Sequence, residues 1–206
     1  MNFFLFASSF TFFIWLAHRL KKNRKIEYQN EKSFWDLESQ ANSTRRKSLD
    51  DLDYITIPFE TLPFDVLSDD ETIADYHTTV RSISEKPIVN LSCISNTELK
   101  LRYGAPNITI LSRFDSAYTV LARTLQQWAV KLNEDGFVKE AMDVLEFAVS
   151  TKTDVSGTYF LLAEIYMNLG MSEKITSLID TAESLNSSFS TGIVRRLEEL
   201  LSNSSV

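Results

Sequence analysis

Apolar residues step by three and four through Tyr118, Leu121, Ala122, Leu125, Ala129 and Leu132, the signature of one helical face. Gly136 comes next, and glycine tolerates the left-handed turn that closes a helix. A second face follows at Val138, Ala141, Leu145 and Ala148. The spacing then returns at Tyr159, Leu162, Ala163 and Tyr166, breaks at Gly170, and resumes at Ile175, Leu178, Ile179 and Ala182. One constant shift sets Leu125 on Tyr159, Trp128 on Leu162, Ala129 on Ala163, Leu132 on Tyr166, Gly136 on Gly170 and Ala148 on Ala182. The pattern predicts two like helical hairpins, with alanines where paired helices approach closely. Ser190 or Thr191 then caps a last helix with Ile193, Val194, Leu197, Leu200 and Leu201 on its apolar face. Arg195, Arg196, Glu198 and Glu199 fall largely on the other side, as in a capping helix with a wet outer face.

Upstream the periodicity weakens. Asp69 or Asp70 can cap a helix to about Ser84 whose stripe is Ile73, Ala74 and Val80. Ser95 or Asn96 caps a shorter one, stopped by Gly104 and Pro106. Asn107 to Leu111 reads equally as a strand or as the start of a helix. Residues 52–64 carry Tyr54, Ile55, Ile57, Phe59, Leu62 and Phe64 between Pro58 and Pro63. Each proline biases its predecessor to extended backbone. This is an aromatic strap, either packed along its own domain or recognising another protein.

Met1 to Ala17 holds no charged side chain, is rich in Phe, and ends near Trp15. Arg19, Lys21, Lys22, Arg24 and Lys25 follow at once. No cation precedes the run and no small-x-small site follows it, so it reads as a retained anchor rather than a cleaved leader. Cations after an apolar segment belong on the cytoplasmic side. The expectation is a single-pass membrane protein with its N-terminus outside, its body cytoplasmic and its anchor in membrane lipid. The host is expected to be a bacterial plasma membrane, and a eukaryotic organelle surface also fits. The expected organisation is an anchor at 1–20, a basic stalk and strap at 21–66, short helices at 67–113, and the paired helices with their cap at 114–206. The fold class is all-α.

Beyond the first 25 residues the chain carries 16 Lys+Arg against 28 Asp+Glu, net −12. An acidic body is a poor partner for nucleic acid, whose phosphates need cationic neutralisation. The lone Cys93 cannot form an intramolecular disulfide. His18 and His77 are far apart, with no metal-ligand spacing, phosphate-binding glycine loop or nucleophile motif. No cofactor, no metal site and no catalysis are expected. Asn-x-Ser/Thr triplets at Asn42, Asn90, Asn107, Asn186 and Asn203 read as ordinary polar residues on a cytoplasmic chain.

Tyr159-x-x-Leu162-Ala163-x-x-Tyr166, with Ala141, Phe147 and Ala148 in the second helix, resembles the tetratricopeptide repeat (TPR) family over about 122–189. The chain departs from the family at Ile175, where a small residue is usual, and at Thr153 and Ser187, where the closing proline is usual. The packing positions are Leu125, Ala129, Gly136, Ala141, Ala148, Tyr159, Leu162, Ala163, Tyr166, Gly170 and Ala182. The resemblance implies a concave partner-binding groove on the first helix of each pair: Arg123, Gln126, Val130 and Asn133, then Phe160, Glu164, Met167 and Asn168. It suits an amphipathic or extended peptide. The family's carboxylate clamp is not implied, because Gln126 and Val130 occupy the matching positions. The expected function is a membrane-anchored, non-catalytic interaction scaffold or adaptor. The alternative is a targeting receptor or assembly factor with many clients at a membrane surface. Two hairpins alone bury little surface, and the last helix, the short helices upstream or a second copy of the chain in a homodimer could each cover an open end.

Overall fold

The computed structural model describes residues 31–203 together with Trp15, Arg19, Lys21 and Gln29. Helical residues 31–43 (α1) are followed by α2 (Glu71–Ser84), α3 (Asn96–Tyr103), a 3-10 turn (Ala105–Asn107), α4 (Ile108–Glu134), α5 (Val138–Ser150), α6 (Ser156–Asn168), α7 (Ser172–Glu183) and α8 (Ser190–Asn203). Among the described residues the fold is all-α, and β structure is confined to an isolated antiparallel bridge between Tyr54 and Val89. The chain divides into two compact units, Met1–Ser48 with Ser95–Ile108, and Leu49–Ile94 with Thr109–Val206.

The single-pass placement is corrected. Among the described residues no helix is long and apolar enough to cross a membrane. The longest, α4, has 27 residues but carries Arg113, Asp115, Arg123, Lys131 and Glu134 along its length. The others have 14 residues or fewer among those with printed bounds, short of the roughly 20 that a helical span needs. The anchor expected at 1–20 lies outside the described residues apart from Trp15 and Arg19. So do Lys22, Arg24 and Lys25 of the basic cluster, while Arg19 and Lys21 are exposed helical residues, with the Arg19 guanidinium 5.3 Å from the Trp15 ring centroid.

In the first unit the segment after α1 is laced to the end of α3. The Ser95 hydroxyl accepts from the Glu98 N–H at 3.2 Å, capping α3. The helix stops at Gly104, whose φ is +93°. The Lys47 N–H donates to the Tyr103 carbonyl at 3.0 Å, and the Ala105 N–H to the Thr44 carbonyl at 3.1 Å. Asn107 is buried at 2 % exposure. Its amide donates to the carbonyls of Lys47 and Tyr103, both at 2.8 Å, and its oxygen accepts from Arg46 Nε at 3.0 Å. Glu38 of α1 pairs with Lys100 and accepts from Thr97. Asn107 is thus spent on holding two segments together.

In the second unit the two helical hairpins share one turn chemistry. The Gly136 N–H donates to the Asn133 carbonyl at 3.1 Å and the Phe137 N–H to Leu132 at 2.9 Å. At the matching place in the next hairpin, Gly170 donates to Met167 at 3.0 Å and Met171 to Tyr166 at 2.8 Å. Both glycines have positive φ, +87° and +70°. This is a Schellman closure, in which the terminal carbonyls of a helix find donors and the glycine avoids the left-handed penalty of a Cβ. The hydroxyls of Thr153 and Ser187 accept from Val155 N–H and Phe189 N–H, each at 3.2 Å. They turn the chain into α6 and α8 by the same side-chain-to-backbone device.

The register therefore runs on into α8. Ser156 opens α6 and Ser190 opens α8. Ile193 and Leu197, on the positions of Tyr159 and Ala163, are fully buried. α8 packs on α6 and α7. The outer face of α8 differs in its chemistry. Leu162 and Ile165, both buried, are replaced in register by Arg196 and Glu199, which pair with each other at 3.3 Å in solvent.

The other end is closed by α2 and the strap. The Asp70 carboxylate caps α2, accepting from Thr72 and Ile73 N–H at 2.9 and 3.0 Å, and lies 3.6 Å from Lys131 of α4. Phe64 of the strap, His77 of α2 and Trp128 of α4 form a ring cluster with centroids 4.9 to 5.1 Å apart. Arg81 lies over Phe64 at 4.7 Å. Ile57 and Leu62 belong to the buried core, and Ile55 N–H donates to the Ile88 carbonyl at 2.9 Å.

His77 makes that closure acid-sensitive. Its Nε2 is buried with no hydrogen-bond partner among the described residues. Burial first, and the neighbouring Arg81 second, push its pKa below the ordinary value of 6.5. The packed form is neutral, so its contribution to stability is complete above about pH 6.5. It is lost as pH falls from there toward the lower folded value, at most about 1.4 kcal/mol per pH unit. Urea titrations between pH 7 and 5 should show this slope, and His77→Phe should flatten it. A second expected outcome concerns the close approach of paired helices. Ala163 is fully buried, and Ala163→Leu is expected to destabilise by about 1–3 kcal/mol through overpacking. An unchanged denaturation midpoint would reject the close approach there.

Candidate functional site

Three helices, α4, α6 and α8, place equivalent side chains at one repeating interval, which carries Gln126 onto Phe160 and Phe160 onto Val194. By the same interval Val130 matches Glu164 and Glu198, and Asn133 matches Met167 and Leu201. Adjacency of α4 and α6 shows at Gly157, where a Cβ would sit 3.0 Å from the Gln126 amide nitrogen. Glycine at 157 leaves room for that amide. α8 lies against α6.

The buried faces of these helices are spent on the core. Leu125, Ala129, Ala141, Ala148, Tyr159, Leu162, Ala163, Tyr166 and Ala182 are all buried. The Tyr159 hydroxyl donates to the Thr153 carbonyl at 2.8 Å. The face made by the matched rows is different in kind. Arg123, Glu164, Asn168 and Glu198 are exposed, while Gln126, Val130, Asn133, Phe160, Met167, Val194 and Leu201 are half-buried. Phe160 and Met167 do not stand free in solvent. Both pack against the core and form part of a floor. Sequence reasoning missed the third row, Val194, Glu198 and Leu201. The signal was present, because the shift that relates the hairpins also carries Ser156 onto Ser190.

The strap lies off this face. Its ring contacts are with His77 and Trp128. Trp128 is two residues from both Gln126 and Val130, about 200° around the helix at 3.6 residues per turn. The Pro58–Thr61 turn instead borders a crevice with Lys139, Asp143 and Phe147 of α5.

The second helices frame another cleft, of about 640 Å³, between α5 and α7 over Leu162 and Tyr166. Its chemistry is already satisfied. Glu146 accepts from the Tyr166 hydroxyl and from Lys174, both at 2.7 Å. Burial works to raise the Glu146 pKa, and these two hydrogen bonds outweigh it and hold the carboxyl low. Burial and the Glu146 charge push the Tyr166 phenol up, out of reach of ordinary titration. A further cleft of about 380 Å³ lies at the ends of α5 and α7, beside Asp53, Asn90 and the exposed Cys93. There the Asn90 amide donates to the carbonyls of Thr151 and Lys152 at 3.1 and 2.9 Å. Among the described residues no three His, Cys, Asp or Glu side chains converge as metal ligands would. No family model matches the chain, and neither a curated protein nor a solved structure matches it.

Proposed function

We propose that the second unit is a non-catalytic protein-interaction module of TPR-like build, and that the face of α4, α6 and α8 receives a peptide segment of a partner. The observation that carries the reading is the register of that face. Side chains related by one constant spacing form rows across three helices, with half-buried apolar residues on either side of a middle row that holds Glu164 and Glu198. Such a face offers apolar area for affinity and amides for orientation. The shared Schellman turns at Gly136 and Gly170 support the TPR-like assignment. At Thr153 and Ser187, hydroxyl turns take the place of the family's usual proline.

Photo-crosslinking in cells tests this. Benzoylphenylalanine at Asn168 on the groove should capture a partner, and the same group at Ser177 on α7 should not. A single stoichiometric product indicates a scaffold, and a spread of products a receptor for many clients. Equal or absent capture at Asn168 relative to Ser177 contradicts the groove.

A further inference from the structure

We infer that the groove's occupant is an extended partner segment in polyproline II conformation, carrying basic residues at i and i+3 among apolar ones. The inference rests on the groove reading and specifies its ligand.

The middle row carries it. Glu164 and Glu198 are exposed and have no ion-pair partner among the described residues. Three acids on the same helical body have a cation on their own or a neighbouring helix: Glu146 with Lys174, Asp135 with Lys131 and Glu199 with Arg196. Apolar residues flank the acidic pair on both sides, Phe160 and Val194 on one, Met167 and Leu201 on the other. An apolar ligand covering this floor would strip water from two unpaired carboxylates at a large penalty. An acidic ligand would add repulsion. A ligand with two cations satisfies both carboxylates while covering the floor.

Spacing fixes the pattern. Packed helix axes lie about 8–10 Å apart, so the two carboxylates sit on neighbouring helices at about that interval. A polyproline II chain has three residues per turn and rises about 3.1 Å per residue. Residues i and i+3 then share a face and lie about 9 Å apart. A β-strand would put i and i+3 on opposite faces. Polyproline II leaves its backbone groups without internal partners, and Gln126, Asn133 and Asn168 offer amides that both donate and accept. Arg123, exposed at the far edge of α4, disfavours a third cation there and gives the segment a direction.

Fluorescence anisotropy with labelled peptides of about a dozen residues on the full chain tests this. One peptide carries two arginines three apart among leucines and prolines; others move them four apart or replace them with glutamate. The i,i+3 arginine peptide should bind about tenfold or more tighter than either, one well-made charge pair being worth about a factor of ten. It should weaken from low to high salt. Glu164→Lys with Glu198→Lys should abolish that preference and gain the glutamate peptide, with unchanged circular dichroism. Equal binding of arginine and glutamate peptides, or no binding of any, overturns the inference. Capture at Asn168 in cells then decides separately whether the groove itself stands.

Discussion

Trp128→Ala is expected to lower stability by about 3–5 kcal/mol, the range for truncating a fully buried large aromatic, and to release the strap. Trp128 has no exposed surface and sits at the junction of α4, α2 and the strap. Removing the indole leaves Phe64 and His77 facing a cavity, and Arg81 loses the stacked ring beneath its own ring partner. Urea denaturation gives the magnitude. Chymotrypsin gives the location, since Phe59 and Phe64 should become early cleavage sites while the hairpin core stays protected. The indole N–H is buried without a hydrogen-bond partner among the described residues. Trp128→Phe removes that orphan donor and so should be far milder than Trp128→Ala. Equal losses for the two would show that ring packing is not what holds the strap.

Gly104→Ala should have the next largest effect, confined to the first unit. The residue has φ +93°, and an added Cβ would fall 2.2 Å from the Arg45 carbonyl oxygen and 2.8 Å from the Arg46 Cα. Both neighbours are backbone and cannot swing aside. The strain is about 1–3 kcal/mol. Separating 44–48 from 103–107 forfeits about 1 kcal/mol more for each hydrogen bond lost. Hydrogen exchange should show lost protection at Lys47 and Ala105, whose N–H groups cross that seam. Gly192→Ala is the control. It lies within α8 with nothing near its missing Cβ, so it should stabilise slightly, by about 0.5–1 kcal/mol.

The hairpins were legible because their determinants are local. Gly136 and Gly170 announce a left-handed turn wherever they are packed, and Ser95 and Asp70 cap the helices they precede. Long-range choices were not legible. Ile108-Thr109-Ile110 has β-branched residues that suit a strand, yet α4 begins at Ile108 and buries Leu111 completely. Packing overrode propensity there. Asn107 read as an ordinary polar residue because its three hydrogen-bond partners are 60 or 61 residues away or one helical turn back. His77 read only as a residue outside any metal-ligand spacing, with no local sign of Phe64 and Trp128 around it. α8 read as a cap, and its outer Arg196–Glu199 pair is what a cap needs. That the register also runs into α8 shows in the matching turns at Thr153 and Ser187. The face residues on α4 and α6 were named from the resemblance to the repeat family, and nothing in that resemblance told that Phe160 and Met167 pack partly into the core.

Backbone amide chemical shifts of the full chain, titrated with the i,i+3 arginine peptide, test the central claim most directly. The account predicts perturbations in rows at 126, 160 and 194, at 130, 164 and 198, and at 133, 167 and 201, with α5 and α7 quiet. Shifts confined to the cleft between α5 and α7, around Ser177 and Thr181, would contradict it.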